Sequence, residues 1–285
     1  MDFIEEELVK MGVRAISVEL IRDKDGVTVA RVRPAAPGAA MVIKAFARPE
    51  FRREIGNYAA LTALGVPTLK LYASTDRALL MEDILESPYR LGVAEDLGDA
   101  RTAALVARWY RELHSRGHEY AAEHGAELYD ENDALTPENL ERVKERTGTA
   151  SLQVWRLIED NWDKISSAVD GARRTLTYND FYYTNLAVAR SGESALMFDY
   201  NLLGRGYAYA DLRNVCSSLS GAAQEAFLGE YGPFDEREAE IDAVVSVLNG
   251  LISAYGRERL PAWSAGLIEE LRGGLYERVE RLIGK

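Results

Sequence analysis

The chain has 285 residues, with 46 acidic against 34 basic side chains and a formal net charge of −12. That balance argues against a nucleic-acid binder, which normally presents a basic face; it suits a small cationic substrate, although acidity also serves solubility alone. Apolar residues at 47% and charged residues at 28% are ordinary for a soluble protein with a sizeable core, and no apolar run approaches the length of a membrane span.

The single cysteine, Cys216, cannot form an internal disulfide. The opening "MDFIEEELVK" is acidic and lacks the apolar core of a signal peptide. A cytoplasmic location is therefore expected, with no membrane and no nucleic acid among the partners. Oligomeric state is not readable. "ISVELIRDKDGVTVARV" alternates on both sides of "DKDG" and predicts a hairpin. "AMVIKAF" is a third strand, and a helix is expected from Pro49 to about Leu64, with proline in its first turn and Gly65 ending it. "LKLYAS" and "RALLMEDI" supply two more strands, completing a five-stranded antiparallel sheet with one helix near Ile84.

Beyond that point the pattern turns helical. "RTAALVARWYRELHSRG" places Leu105, Val106, Trp109, Tyr110 and Leu113 at helical spacing. "LTPENLERVKER" opens with Thr136 as N-cap and Pro137 at the first helical position. Three further amphipathic helices are expected over residues 151–169, 238–260 and 265–283. Within this half, "NLAVA" and "ALMFD" flank the polar turn "RSGES", which reads as a second hairpin. The expected architecture is α+β and two-lobed: residues 1–84 as a sheet lobe, residues 85–285 as a larger helical lobe, and a cleft between them as the natural site.

Alternation in "AMVIKAF" puts Lys44 on a strand face with Val42 and Phe46. An ammonium among apolar neighbours needs a partner. Glu54 falls in the apolar row Phe51, Ile55, Tyr58, Leu61 of the following helix and should also point inward. The two are natural partners, either as a structural ion pair or as part of a site. In the second hairpin Asp180 precedes the first strand, Asn185 opens it and Asp199 closes the second strand. If both strand ends lie at one end of the ladder, Asn185 and Asp199 are neighbours. Their hard oxygens suit magnesium rather than zinc, and Asp180 is left free to orient a nucleophile. Ordinary turn chemistry is the competing explanation.

A strand lysine, a helical glutamate, D-x-x-x-x-N and a strand-end aspartate follow the order of parts in kinase-like phosphotransferases. The chain resembles the aminoglycoside phosphotransferase and choline kinase family, the small-molecule branch of the protein-kinase-like fold, from about residue 14 to 215. "TYNDFYYTN" resembles the catalytic loop H-G-D-x-x-x-x-N, "LMFDYN" the I-D-W or I-D-F segment, and "ALLMEDI" the strand and hinge that receive adenine. "RELHSRG" and "GYAYADLRNV" resemble further family segments. The resemblance implies that Asp180 orients or deprotonates the acceptor hydroxyl. It implies that Asn185 and Asp199 hold Mg2+, that Lys44 contacts the α- and β-phosphates of ATP, and that Glu54 fixes Lys44. Backbone groups of Met81, Glu82, Asp83 and Ile84 would read the base, with GTP an alternative donor. Asp211 and His114 would be structural.

Tyr178 and Asn179 replace the family's histidine and glycine, and the turn "IRDKDGV" carries one glycine, Gly26. A tyrosine hydroxyl can take over the histidine's hydrogen bond. The absence of an A-P-E segment disfavours protein phosphorylation. The acidic run from Glu123 through Glu127, Asp130, Glu131 and Asp133 to Glu138 either lines a pocket for an amino sugar or amino alcohol or is a solvated loop. Three functions stand: a small-molecule kinase, a nucleotide-binding pseudokinase or regulatory module without turnover, and a metal-dependent hydrolase.

Overall fold

Alternation within β3 (Met41–Phe46) sends Ile43 and Ala45 to one face of a sheet and Val42 and Lys44 to the other. The structure, a computed structural model, describes residues 2–284. The sheet is five-stranded and antiparallel, in the order β1-β2-β3-β5-β4. Its other strands are β1 (Ala15–Lys24), β2 (Val27–Pro34), β4 (Leu71–Ser74) and β5 (Ala78–Glu82). The β1–β2 turn is the one expected from "DKDG": Asp25 and Gly26 both take positive φ, 55° and 86°, as a two-residue hairpin turn with right-handed strand twist requires.

Helix α1 (Asp2–Lys10) was not anticipated from the acidic opening. Its Ile4 and Leu8 bury against Ala30, Val32, Ile43, Ala45 and Leu80, each large apolar side chain contributing about 1.5–3 kcal/mol. This closes one face of the sheet and leaves the Lys44 face for other work. The expected helix after Pro49 is in two parts. A single 3-10 turn spans Pro49–Phe51, and α2 (Arg53–Leu64) follows. Gly65 ends it in the left-handed conformation at φ 69°, as expected.

Two compact units are distinguished. The first comprises Met1–Gly117, Tyr178–Leu203 and Asn214–Gly232; the second comprises His118–Thr177, Gly204–Arg213 and Pro233–Lys285. In the first unit, the expected second hairpin is present as strands Leu186–Ala189 and Ala195–Met197, joined by β6 (Tyr89–Leu91) in a three-stranded sheet. Gly92, just past β6, sits where a Cβ would meet the Tyr183 carbonyl oxygen at 2.3 Å, so only glycine fits against that backbone there. Helix α3 (Ala100–His124) contributes its residues up to Gly117, and its Trp109 and Tyr110 are fully buried beside Tyr178 and Tyr200.

The second unit has an apolar core of Trp155, Ile158, Ile165, Val244, Leu248 and Leu275 with their neighbours. Two expected helices are each broken. Residues 151–169 form Gln153–Asp160 and Trp162–Gly171, separated by Asn161, whose side-chain amide donates to the Leu157 carbonyl and so competes with the helical ladder. Residues 265–283 form Ser264–Arg272 and Leu275–Ile283, split at Gly273–Gly274. The helix expected over 238–260 runs Glu236–Tyr255, and Thr136 caps Pro137–Thr147 as expected. Short helices Ala208–Cys216 and Gly221–Tyr231 were not anticipated. Among the described residues, no helix is long and apolar enough to cross a membrane.

Candidate active site

The first unit holds all the residues singled out for phosphoryl chemistry. Lys44, on the sheet face opposite α1, places its Nζ 2.7 Å from Glu54 Oε2 and 2.8 Å from Asp199 Oδ1. Burial works against the lysine's charge, but the two carboxylates outweigh it and hold the ammonium above its ordinary range. Glu54, buried on α2, is pushed up to about 7 by that burial, with Lys44 drawing it back. Asn57, one helical turn further on, donates to the Tyr200 carbonyl at 2.7 Å and so ties α2 to the segment carrying Asp199.

Asp199 adopts φ 64°, a left-handed conformation that aspartate and asparagine visit more readily than other non-glycine residues. The ladder explains how it meets Asn185. Leu186 pairs with Met197, and the Phe198 N–H donates to the Asn185 carbonyl at 2.9 Å, so both strand ends fall together. The Asn185 amide nitrogen donates to Asp180 Oδ2 at 3.1 Å and to the Asp180 carbonyl at 3.2 Å. Its Oδ1 is then directed to other uses. Burial first, and the Asp199 charge second, push the Asp180 carboxyl above its ordinary range.

The two departures from the family motif, Tyr178 and Asn179, are each accommodated. Tyr178 is fully buried and donates its hydroxyl to the Phe198 carbonyl at 2.5 Å, one residue before Asp199. Asn179, in the glycine position, takes φ 63° and donates to the Leu202 carbonyl at 3.0 Å; asparagine is among the few residues that tolerate this region. Tyr178→Phe is therefore expected to cost about 0.5–1.5 kcal/mol by removing this hydrogen bond, measured by thermal unfolding, and to lower kcat while nucleotide affinity holds. Histidine at this position is expected to preserve both.

Met81 pairs with Val42, on the same face as Lys44, and its sulfur accepts from the Tyr58 hydroxyl at 3.8 Å. The side chains of the next two residues are committed. Glu82 accepts from the Lys70 N–H at 2.7 Å, and Asp83, buried, takes Arg31 at 2.5 Å and the Leu85 N–H at 3.1 Å. Ile84 begins a 3-10 turn. Any ligand contact from Glu82 or Asp83 thus falls to the backbone. His114 is buried in an aromatic cluster with its Nδ1 2.8 Å from the Tyr231 hydroxyl. Asp211 is buried in the second unit. There too, Asp130 is buried and paired with Arg205 at 3.0 Å, while Glu123, Glu127, Glu131, Asp133 and Glu138 are exposed.

Two residues escaped the reading of the sequence. Lys44, Glu54 and Asp199 border a recess of about 190 Å³ beneath the β1–β2 turn, and Arg22 and Lys24 border it as well. Their register, Arg22 opposite Val29 and Lys24 opposite Val27, puts them on the Lys44 face; counting the alternation back from the turn would have found them. Among the described residues, no group of three or more His, Cys, Asp or Glu is placed to hold a metal ion. The oxygens of Asp199 and Asn185 fit a hard cation that completes its shell from water and phosphate.

A sheet-borne lysine locked by a helical glutamate, facing a hairpin that carries D-x-x-x-x-N and an aspartate in the left-handed conformation, belongs to a kinase-like phosphotransferase. The chain is a member of the phosphotransferase enzyme family, whose sequence model matches residues 21–243. Its activity class is that of a phosphotransferase. Among solved structures it is similar to the macrolide 2'-phosphotransferase MphH from Brachybacterium faecium, with TM-score 0.63, 18% identity, and coverage of 96% of this chain and 98% of that one. It is also similar to the choline kinase LicA from Streptococcus pneumoniae, with TM-score 0.60, 15% identity, and coverage of 99% and 98%. A streptomycin–ATP–APH(2")-IIa ternary complex matches with TM-score 0.62, 15% identity, and coverage of 100% and 96%. A search of the curated proteins finds no match.

Proposed function

We propose that this protein transfers the γ-phosphoryl group of ATP, with GTP as an alternative donor, to a hydroxyl of a small molecule. The observation that carries this reading is the contact set on Lys44, which meets Glu54 and Asp199 at hydrogen-bonding distance while Asn185 holds Asp180 beside them. Residues 1–84 would supply the nucleotide site, and residues 85–285 the catalytic loop, metal ligands and acceptor pocket. Lys44 would bind the α- and β-phosphates, with Glu54 fixing its position. Arg22 and Lys24 would add charge from the overhanging turn. Magnesium, when bound through Asp199 and Asn185, would draw charge from the phosphates.

Asp180 would take the acceptor's proton as its oxygen bonds to the γ-phosphorus and the bond from that phosphorus to the bridging oxygen breaks, releasing ADP. Its raised proton affinity suits that task better than an ordinary aspartate's. The net charge of −12 favours a cationic acceptor such as an aminoglycoside or amino alcohol, with sugars the uncharged candidates. The test is ADP release from magnesium-ATP over a panel of aminoglycosides, amino alcohols, sugars and nucleosides. Acceptor-dependent release is expected from at least one class. Magnesium-dependent nucleotide binding with no turnover on any of them would favour the pseudokinase reading instead.

A further inference from the structure

On the Lys44 face of the sheet, one residue pair further along, stands an arginine. Val29 lies opposite Lys44 and Arg31 lies opposite Val42, whose partner in β5 is Met81. Opposed residues in an antiparallel pair share a face, as do alternate residues along a strand. Arg31 is therefore about 7 Å from the lysine's level along β2, on the same side of the sheet. At this level β3 and β5 present apolar side chains, and a guanidinium beside them needs to be held.

It is held from the segment just past β5. Arg31 Nε donates to Asp83 at 2.5 Å, and Asp83 is 4% exposed. The other Asp83 oxygen accepts from the Leu85 N–H, which fixes the carboxylate to the backbone of the 3-10 turn. Arg31 Nη1 reaches Glu19 of β1 at 3.4 Å. Among the described residues, its Nη2 has no partner. Arg31, Asp83 and Glu19 border a recess of about 260 Å³ on this face. Arg33 and Glu86, 2.5 Å apart, border it too.

We infer that Arg31 is a specificity residue for the phosphate donor: its guanidinium forms the sheet-side wall of the base site and stacks on the purine. This rests on the proposed function, because it is the lysine that sets where the phosphates lie. A base would then reach the level of Arg31 along the sheet, beside the backbone after Met81. A planar, delocalised cation is the side chain that pairs a flat face with an in-plane donor. Asp83 and Glu19 take the in-plane donors and hold that plane in place, leaving its flat face to the base.

The experiment measures binding by calorimetry for ADP and for tripolyphosphate, which carries the phosphates without a base, together with KM and kcat. Arg31→Met is expected to weaken ADP by about 2–30-fold, the equivalent of a cation–π contact, and to raise KM for ATP alike. It should leave tripolyphosphate binding and kcat unchanged. Arg31→Lys, which keeps the cation but not the planar face, is expected to lose less ADP affinity than Arg31→Met does. Because Arg31→Met strands the Asp83 carboxylate, the double variant Arg31→Met/Asp83→Asn is measured beside it and should show the same selective loss. Unchanged ADP affinity in both variants, or equal weakening of ADP and tripolyphosphate, overturns the inference and leaves the proposed function standing. Wild-type protein that binds neither ADP nor ATP overturns the proposed function itself.

Discussion

Asp180→Asn is expected to lower kcat by roughly 10²–10⁴-fold, the range for loss of a general base, while nucleotide affinity is kept. The amide preserves the side chain's shape and the contact with Asn185, so what it removes is the capacity to take a proton. The pH profile separates this role from a structural one. Burial, and then the neighbouring Asp199, raise the Asp180 carboxyl above the 3.8 of an ordinary aspartate. A raised value means that the proton stays on to higher pH, and the protonated form is inactive as a base. Wild-type kcat/KM should therefore fall as pH drops, with its midpoint above 3.8. That limb should vanish from the residual activity of Asp180→Asn. Retained turnover in the variant would remove Asp180 from the chemistry.

Lys44→Met is expected to abolish measurable turnover and also to destabilise the fold. Removing one partner of a buried ion pair costs about 3–5 kcal/mol, and here two carboxylates lose their cation. The cost should depend on pH in a definite direction. Glu54 already titrates near 7 in the folded protein against 4.5 for an ordinary glutamate, and without Lys44 that value rises further. A group whose folded pKa is raised contributes stability below its unfolded pKa and loses it as pH climbs through the folded one. Lys44→Met should thus be closest to wild type near the lower value and weakest above about 7. Adding Glu54→Gln in the same chain should remove most of that dependence. Thermal unfolding across this range is the check, and equal destabilisation at every pH would show that Glu54 does not carry the buried charge.

The site was more legible in the sequence than the helical parts of the fold, for physical reasons. Lys44 and Glu54 stand out because a charge in an apolar row demands a partner, and the demand is local. Asp180, Asn185 and Asp199 stand out because a hairpin with a polar turn returns its two ends to one place. Tyr178 was readable as a stand-in for histidine because both can donate a hydrogen bond, although the acceptor, the Phe198 carbonyl, is set only by tertiary structure. The strand Tyr89–Leu91 was not readable, since three residues become a strand only through a partner nearly a hundred positions away. The break at Asn161 was hidden because the apolar stripe runs through it, and a side-chain bond to Leu157 decides the matter. Helix α1 was read only for its charge, and its Ile4 and Leu8 face inward because a sheet is there to cover. Arg31 was unremarkable in an alternating strand until Asp83 came to lie against it.

The measurement that bears most directly on the central claim follows the γ-phosphorus itself. Phosphorus NMR of magnesium-ATP with an acceptor mixture distinguishes a new phosphate ester from inorganic phosphate. The result expected is a phosphomonoester signal growing in equal measure with ADP for the wild-type protein and growing roughly 10²–10⁴-fold more slowly for Asp180→Asn. Release of inorganic phosphate alone, or ester formation undiminished in Asp180→Asn, would contradict the assignment of this constellation to phosphoryl transfer.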